Sequence, residues 1–179
     1  MQTNEILQFR RCNINQINIL HQIAILSYKE NYTQIWHDDG KAYLERFYDI
    51  SLLEAELADY SCTFYLIYQQ ETPIGFFKLR ANALPPYPTS NCLELNKIYF
   101  LQAYTGTGMG QKTLQFIINL ARAEQRSILW LNVMEESKAR TFYERNAFER
   151  VKQVTLEYPF IKDGLNILST YKLDLHNSK

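Results

Sequence analysis

Tyr104-Thr105-Gly106-Thr107-Gly108-Met109-Gly110-Gln111-Lys112 places three glycines at every second position between two runs of different character. Upstream, Leu93-Glu94-Leu95-Asn96-Lys97-Ile98-Tyr99-Phe100 reads as a strand. Downstream, Leu114, Ile117, Ile118 and Ala121 mark one face of a helix that runs to about Glu124. Glycine has no Cβ, so successive N–H groups can turn toward one anionic oxygen, and the N-terminus of the next helix adds partial positive charge. The stretch is therefore a candidate phosphate cradle. A glycine-rich turn that merely links strand to helix would have the same composition.

Two nucleotide patterns do not fit. A dinucleotide loop wants G-x-G-x-x-G and an acid about 20 residues on, whereas the glycines here are 106, 108 and 110 and the next strand ends in Trp130-Leu131-Asn132. A nucleoside-triphosphate loop wants lysine directly after its last glycine, and Gln111 intervenes before Lys112.

Working outward, residues 6–12 suggest a first strand, and Ile17, Leu20, His21, Ala24 and Ser27 follow at helical spacing. Tyr43, Leu44 and Phe47 continue the helical pattern after Asp38-Asp39-Gly40. Ser51-Leu52-Leu53-Glu54 has the form of a capping box, so 14–59 is expected to be mostly helical. Strands are expected over 62–68 and 73–81, with a hairpin turn at Gln69-Gln70-Glu71-Thr72, before Leu84-Pro85-Pro86-Tyr87-Pro88 breaks the ladder. Beyond the glycine loop come a buried strand over 128–133 and a helix marked by Ala139, Phe142 and Tyr143. Two strands, about 147–157 and 165–175, close the chain around a turn at Lys162-Asp163-Gly164. The expectation is an α+β fold in one domain, 1–179, with a mixed central sheet of about seven strands flanked by helices.

Composition agrees with one compact enzyme-sized domain. The 179 residues are 46% hydrophobic and 14% aromatic. Nineteen basic residues balance nineteen acidic ones, so no net field draws nucleic acid or an anionic membrane to the chain. Cys12, Cys62 and Cys92 are odd in number and widely spaced, which fits neither a disulfide framework nor a zinc site, and His21, His37 and His176 form no ligand cluster. Residues 1–11 lack the apolar core of a signal peptide, and no run approaches a membrane span. A soluble cytoplasmic protein with no metal is expected, and a homodimer is left open.

The segment Glu94 to Phe100, the glycine loop, and Ala139-Arg140-Thr141-Phe142-Tyr143-Glu144-Arg145-Asn146-Ala147-Phe148 together resemble the GNAT superfamily of acetyl-CoA-dependent N-acetyltransferases. The family's loop pattern, [Q/R]-x-x-G-x-[G/A], falls on Thr105 to Gly110. Gly108 and Gly110 match it, whereas Thr105 stands where the family has Gln or Arg. The resemblance implies acetyl-CoA as co-substrate. It places the contacts at Ile98, Tyr99 and Phe100, along Thr105, Gly106, Thr107, Gly108, Met109, Gly110, Gln111 and Lys112, and at Asn132, Ser137, Lys138 and Phe142. Before Ala139 the chain has Glu136 or Ser137 where the family places an Asn. A narrower similarity, through Ser27-Tyr28 to Trp36, 41–44, 50–57 and Ile74-Gly75-Phe76-Phe77-Lys78-Leu79, is to the bacterial PaiA-type branch, whose members acetylate spermidine and spermine.

Acetyl transfer to an amine requires a neutral nucleophile, a stabilised carbonyl oxygen and a proton for the departing thiolate. Glu94 is the candidate base: strand alternation puts it on one face with Asn96, Ile98 and Phe100, and some family members carry their base at the matching place. Tyr143 is the candidate acid, a phenol that is neutral at pH 7, and the family's matching tyrosine contacts the thiol sulfur. A backbone N–H near Tyr99 or Phe100 would polarise the thioester carbonyl in the family geometry. Tyr32 and Trp36 are candidates to cover the acceptor. Glu30 and Asp38, with Asp39 and Glu54, are candidates for an acidic groove around a cationic amine. The expected activity is N-acetylation of a small primary amine, with polyamines as one candidate class, by direct attack in a ternary complex. Protein, peptide or aminoglycoside acceptors, or a non-catalytic acyl-CoA-binding module, are the alternatives.

Overall fold

A computed structural model describes residues 7–176. Seven strands form one sheet in the order β1-β2-β3-β4-β5-β7-β6. They are β1 (Leu7–Arg11), β2 (Cys62–Gln69), β3 (Thr72–Arg80), β4 (Cys92–Phe100), β5 (Ile128–Met134), β6 (Glu149–Thr155) and β7 (Ile167–Asp174). Every neighbouring pair is antiparallel except β4 and β5, which are joined by the one helical crossover the glycine loop begins. The expected mixed sheet is present. Residue 6 of the expected first strand lies outside the described residues.

Five helices cover the sheet: α1 (Ile17–Tyr32), α2 (Lys41–Phe47), α3 (Ile50–Ala58), α4 (Met109–Ala123) and α5 (Lys138–Arg145). One face packs against α4 and α5, where Leu114, Ile117, Ala121 and Tyr143 meet Phe77, Leu93, Leu95, Leu129 and Leu131. The other packs against α1, α2 and α3, where Leu20, Tyr28, Tyr48 and Leu53 meet Phe64, Leu66 and Phe76. Strands β2, β3 and β4 feed both cores because their side chains alternate.

One local expectation is corrected. Ser51 does not cap α3: Asp49 is the N-cap, and its carboxylate accepts the Ser51 N–H at 2.9 Å. The carboxylate is the stronger acceptor and sits one residue before the helix. Lys162-Asp163-Gly164 forms the expected turn between the last two strands, β6 and β7. The turn bond from Leu165 N–H to the Lys162 carbonyl lies within a loop spanning 156–166, and that loop reaches back across the molecule.

A bulge in β4 has larger consequences. Across β3 and β4, Lys78 pairs with Lys97 but Leu79 pairs with Leu95, leaving Asn96 as an extra residue. Leu93 and Leu95 face α4 before the bulge, and Ile98 and Phe100 face it afterwards. Glu94 therefore shares its face with Lys97 and Tyr99, on the side of α1 to α3, and not with Ile98 and Phe100 as simple alternation predicts.

Candidate active site

β4 and β5 pair only over Cys92–Leu95 and Ile128–Leu131. Beyond Leu95, β4 continues to Phe100 against β3, and beyond Leu131, β5 continues to Met134 against β7. The edges that would have met each other, 96–100 and 132–134, have no strand partner, so the sheet opens there into a wedge. The glycine loop and α4 begin at its mouth.

In that loop Gly106 and Gly108 adopt left-handed φ of 73° and 84°, and Gly108 is the N-cap of α4. No atom lies within 4 Å of where a Cβ would stand on either residue. The space beside the backbone is open. Thr105 and Thr107 hydroxyls donate to the carbonyls of Gln102 and Tyr104, each at 2.8 Å, which holds the loop shape from within. Among the described residues, the N–H groups of 106–111 have no backbone or side-chain acceptor, whereas Lys112 N–H returns to Gly108. Six free donors beside a helix N-terminus suit the oxygens of a pyrophosphate. Lys112 is exposed next to them.

α5 forms the opposite wall. Ser137 is its N-cap and accepts the Ala139 N–H at 3.1 Å, whereas Glu136 lies just before it. Phe142 packs toward Gly110, and Gln111 donates to Asn146 at 2.7 Å, so the start of α4 is tied to the end of α5. Asn132 is exposed on β5, its amide oxygen accepting from Thr170 at 2.6 Å, and Lys138 is exposed at the start of α5. Tyr143 is buried between Phe142 and Phe148, and its hydroxyl bonds to no side chain or backbone group among the described residues. Burial pushes its phenol well above the ordinary value, with Tyr32 adding to the effect, so it is neutral at physiological pH.

On the opposite face the wedge floor is aromatic. Tyr28 stacks on Tyr43 at 4.6 Å and on Tyr32 at 5.3 Å, and Tyr99 meets Tyr32 edge-on at 5.1 Å. Burial pushes Tyr32 and Tyr43 up to about 12. Trp36 lies behind this layer, buried, its indole N–H donated to the Tyr28 hydroxyl at 2.8 Å. A short bridge between Trp36 and Ile161 roofs the layer. It is flanked by His37 N–H to the Phe160 carbonyl at 2.7 Å and Lys162 N–H to the Ile35 carbonyl at 3.0 Å. The long 156–166 loop is thereby tied to the α1–α2 connection.

The predicted residues divide accordingly. Ile98 and Phe100 lie along the open edge of β4 on the α4 side, and the Tyr99 ring points the other way. Glu94 is buried and both its oxygens are engaged, by Asn82 at 2.9 Å and Asn96 at 2.8 Å. Asp38 and Asp39 line one surface cavity with Glu45, Asp49, Lys29 and Lys41, and Glu30 is not part of it. Glu30 accepts the Gln102 N–H at 2.7 Å, and Asp38 accepts from Gly40 and Ala42 at the start of α2, so both carboxylates serve the backbone. Asp39 and Glu54 are exposed. Lys97, Tyr43 and the amides holding Glu94 escaped the sequence. A polar pair, Asn96-Lys97, inside an apolar strand was the available sign of a bulge.

A family model described as "Acetyltransferase (GNAT) family" matches residues 21–148. An uncharacterized N-acetyltransferase from the pepI 3' region of Lactobacillus delbrueckii subsp. lactis is 26% identical over 118 residues, 65% of this chain and 68% of that protein. The crystal structure of PaiA N-acetyltransferase from Thermoplasma acidophilum, in complex with coenzyme A, superposes with a TM-score of 0.73 at 20% identity, covering 94% of this chain and 99% of that one. A chimera of the Vibrio cholerae spermidine N-acetyltransferase SpeG with hSSAT superposes with a TM-score of 0.70 at 15% identity, covering 95% and 96%. No described helix is long and apolar enough to cross a membrane.

Proposed function

Because the chain belongs to the GNAT family of acetyltransferases, we propose that it moves the acetyl group of acetyl-CoA to a primary amine, with polyamines as the acceptor class. What supports this above all is the joint between β4 and β5. The two strands part after Leu95 and Leu131, and the free N–H groups of 106–111 stand where they part. The pyrophosphate binds those N–H groups, the pantetheine arm lies along the unpaired edge of β4, and the thioester reaches the level of 98–100. A backbone N–H of that edge then stabilises the carbonyl oxygen as it gains charge.

Tyr143 holds its proton next to the sulfur. An ordinary thiol titrates near about 8.5, below a phenol raised by burial, so outright proton transfer from Tyr143 to the thiolate is uphill. Its role is to donate a hydrogen bond to the developing thiolate. The amine enters from the aromatic side, where ring faces attract a cation while excluding water. Glu94 provides the negative charge of the proton-accepting side, acting on the amine through an intermediary because both its oxygens are already held.

The decisive measurement is free CoA release across a panel of amines: spermidine and spermine, an aminoglycoside, a lysine peptide and a peptide with a free N-terminus. Preferential turnover of the polyamines supports the proposal. Selective turnover of a peptide or aminoglycoside replaces the acceptor class, and acetyl-CoA binding without turnover of any amine replaces the activity.

A further inference from the structure

The aromatic floor holds a lysine. Lys97 follows the bulge residue, and its ammonium nitrogen lies 5.0 Å from the ring centre of Tyr48, 5.3 Å from Phe47 and 5.6 Å from Tyr43, with the Tyr43 hydroxyl 3.4 Å away. Lys97 itself is half-buried, and its cross-strand neighbour is the buried Lys78, which sits over the Phe64 ring and pairs with Glu56. The nearby carboxylates are thus committed: Glu56 to Lys78, and Glu94 to Asn82 and Asn96. Among the described residues none lies within ion-pair distance of Lys97. A lysine in a water-poor aromatic site without a paired carboxylate loses its proton readily.

We infer that Lys97 is the proton acceptor for the incoming amine, the intermediary between that amine and Glu94, an assignment that rests on the acetyl-transfer proposal. Lys97 enters the cycle as neutral amine. The bound substrate ammonium gives one proton to Lys97 Nζ, directly or through the Tyr43 hydroxyl. The freed nitrogen lone pair attacks the thioester carbonyl carbon, forming the C–N bond, and the C–S bond breaks with its electron pair leaving on sulfur. The second proton, carried by the nitrogen after attack, passes to that thiolate alongside Tyr143. Lys97 then returns its proton to solvent. The three rings stabilise the ammonium form, and distant Glu94 and Glu56 do the same, so both protonation states are accessible.

The charged and titratable groups around Lys97 are consistent with that balance. Lys78 faces it from β3, Glu56 from α3, Glu94 and Tyr99 from β4, and Tyr43 and Tyr48 from α2, with Tyr28 and Tyr32 of α1 behind them. Burial pulls Lys97 down to about 8, with Glu56 and Glu94 opposing the shift. The Tyr48 hydroxyl, buried in the same group, has no hydrogen-bond partner among the described residues.

The test is the pH dependence of kcat at saturating acceptor for the wild type, Lys97→Arg, Lys97→Gln and Glu94→Gln, with acetyl-CoA thermal stabilisation followed in each. Arginine keeps a cation but cannot give up its proton. A base role predicts that Lys97→Arg and Lys97→Gln both lose about a hundredfold or more in kcat. Both should retain acetyl-CoA stabilisation and lack the rising limb near pH 8 seen in the wild type. A Lys97→Arg enzyme with wild-type kcat and an intact limb would reduce Lys97 to a structural cation. Loss of the limb in Glu94→Gln together with its persistence in Lys97→Arg would make Glu94 the base. An NMR titration of the labelled Lys97 side chain, assigned by its loss in Lys97→Arg, reads the same group without turnover. A midpoint near the ordinary lysine value of about 10.4 overturns the assignment. Binding of acetyl-CoA with no turnover of any amine would instead sink the acetyl-transfer proposal and the base role with it, whereas an active, unchanged Lys97→Arg sinks the base role alone.

Discussion

The carboxylate of Glu94 accepts the side-chain amide of Asn96, the bulge residue, at 2.8 Å. The residue that interrupts β4 thus also holds the acid whose face it sets. Removing the tether and removing the bulge should have different outcomes. Asn96→Ala keeps the residue count and the register, and Asn82 still holds Glu94, so the loss should be about 1.5–3 kcal/mol for one bond to a charged group. Deleting Asn96 restores plain alternation and drives Glu94 or the whole 97–100 segment to the wrong face. Urea unfolding would show a modest shift for the substitution and no cooperative transition for the deletion.

Gly75 and Gly108 are needed for opposite reasons. A Cβ on Gly75 would run into the Tyr99 carbonyl oxygen and lie 3.2 Å from Phe100 Cα, so Gly75→Ala must push β3 from β4 and should cost about 1–3 kcal/mol. Gly108 meets nothing within 4 Å, but its φ of 84° strains any other residue by roughly 1–2 kcal/mol. Gly108→Ala should relax the cap, turn N–H groups out of the cradle and weaken acetyl-CoA about tenfold, the equivalent of about 1.4 kcal/mol. Calorimetric titration alongside thermal melts separates the two: Gly75→Ala should lose stability first and Gly108→Ala affinity first.

Tyr143→Phe deletes a hydroxyl that bonds to nothing else among the described residues, in a ring packed by Phe142 and Phe148. The melting temperature and the acetyl-CoA dissociation constant should stay near wild type while kcat falls about a hundredfold, the scale of a lost transition-state donor. A fall in affinity equal to the fall in rate would instead make Tyr143 a cofactor-binding residue.

Ser137→Ala removes the cap of an eight-residue helix that carries both Phe142 and Tyr143. The expected cost is about 1 kcal/mol, and kcat should drop with it, because a frayed first turn loosens the wall of the wedge. Restoring a capping side chain with Ser137→Asp should recover both in a melt and an activity assay.

The half-buried Lys97 also makes stability depend on pH, with a definite sign. Lys97 is lowered to about 8 in the folded protein and stands near the ordinary value, about 10.4, in the unfolded chain. Between those limits the unfolded chain holds a proton the folded one has released, so the contribution of Lys97 to stability rises with pH. The buried and half-buried tyrosines work the other way. Tyr28, Tyr32, Tyr43, Tyr48, Tyr99 and Tyr143 are all raised by burial, and what they contribute is present below about pH 10 and lost as pH climbs beyond it. The difference in unfolding free energy between wild type and Lys97→Gln isolates the lysine and should grow from pH 8 to 10. A flat difference would mean the ammonium is not desolvated.

Much of this protein is written locally in its chain. The glycine loop, the helix it starts, the hairpin at 69–72 and the Phe142-Tyr143 pair are specified by neighbours a few residues apart, because turns, caps and amphipathic faces depend on spacing within an element. The stretch from 104 to 112 lies between a strand and a helix as its composition indicates, and the order of elements around it implied the mixed sheet. The faces of β4 were not legible in that way. A strand repeats every two residues, so one unpaired residue reverses everything after it, and whether Asn96 is paired is settled by β3 lying alongside. Glu30 and Asp38 look like free carboxylates in one dimension and become backbone acceptors when the α4 approach and the start of α2 fold against them. Lys97 is an ordinary strand lysine until α2 sets three rings over it. The rings around it, Tyr43, Phe47 and Tyr48, come from a segment far back along the chain, and a site of that kind exists only once the layers have packed.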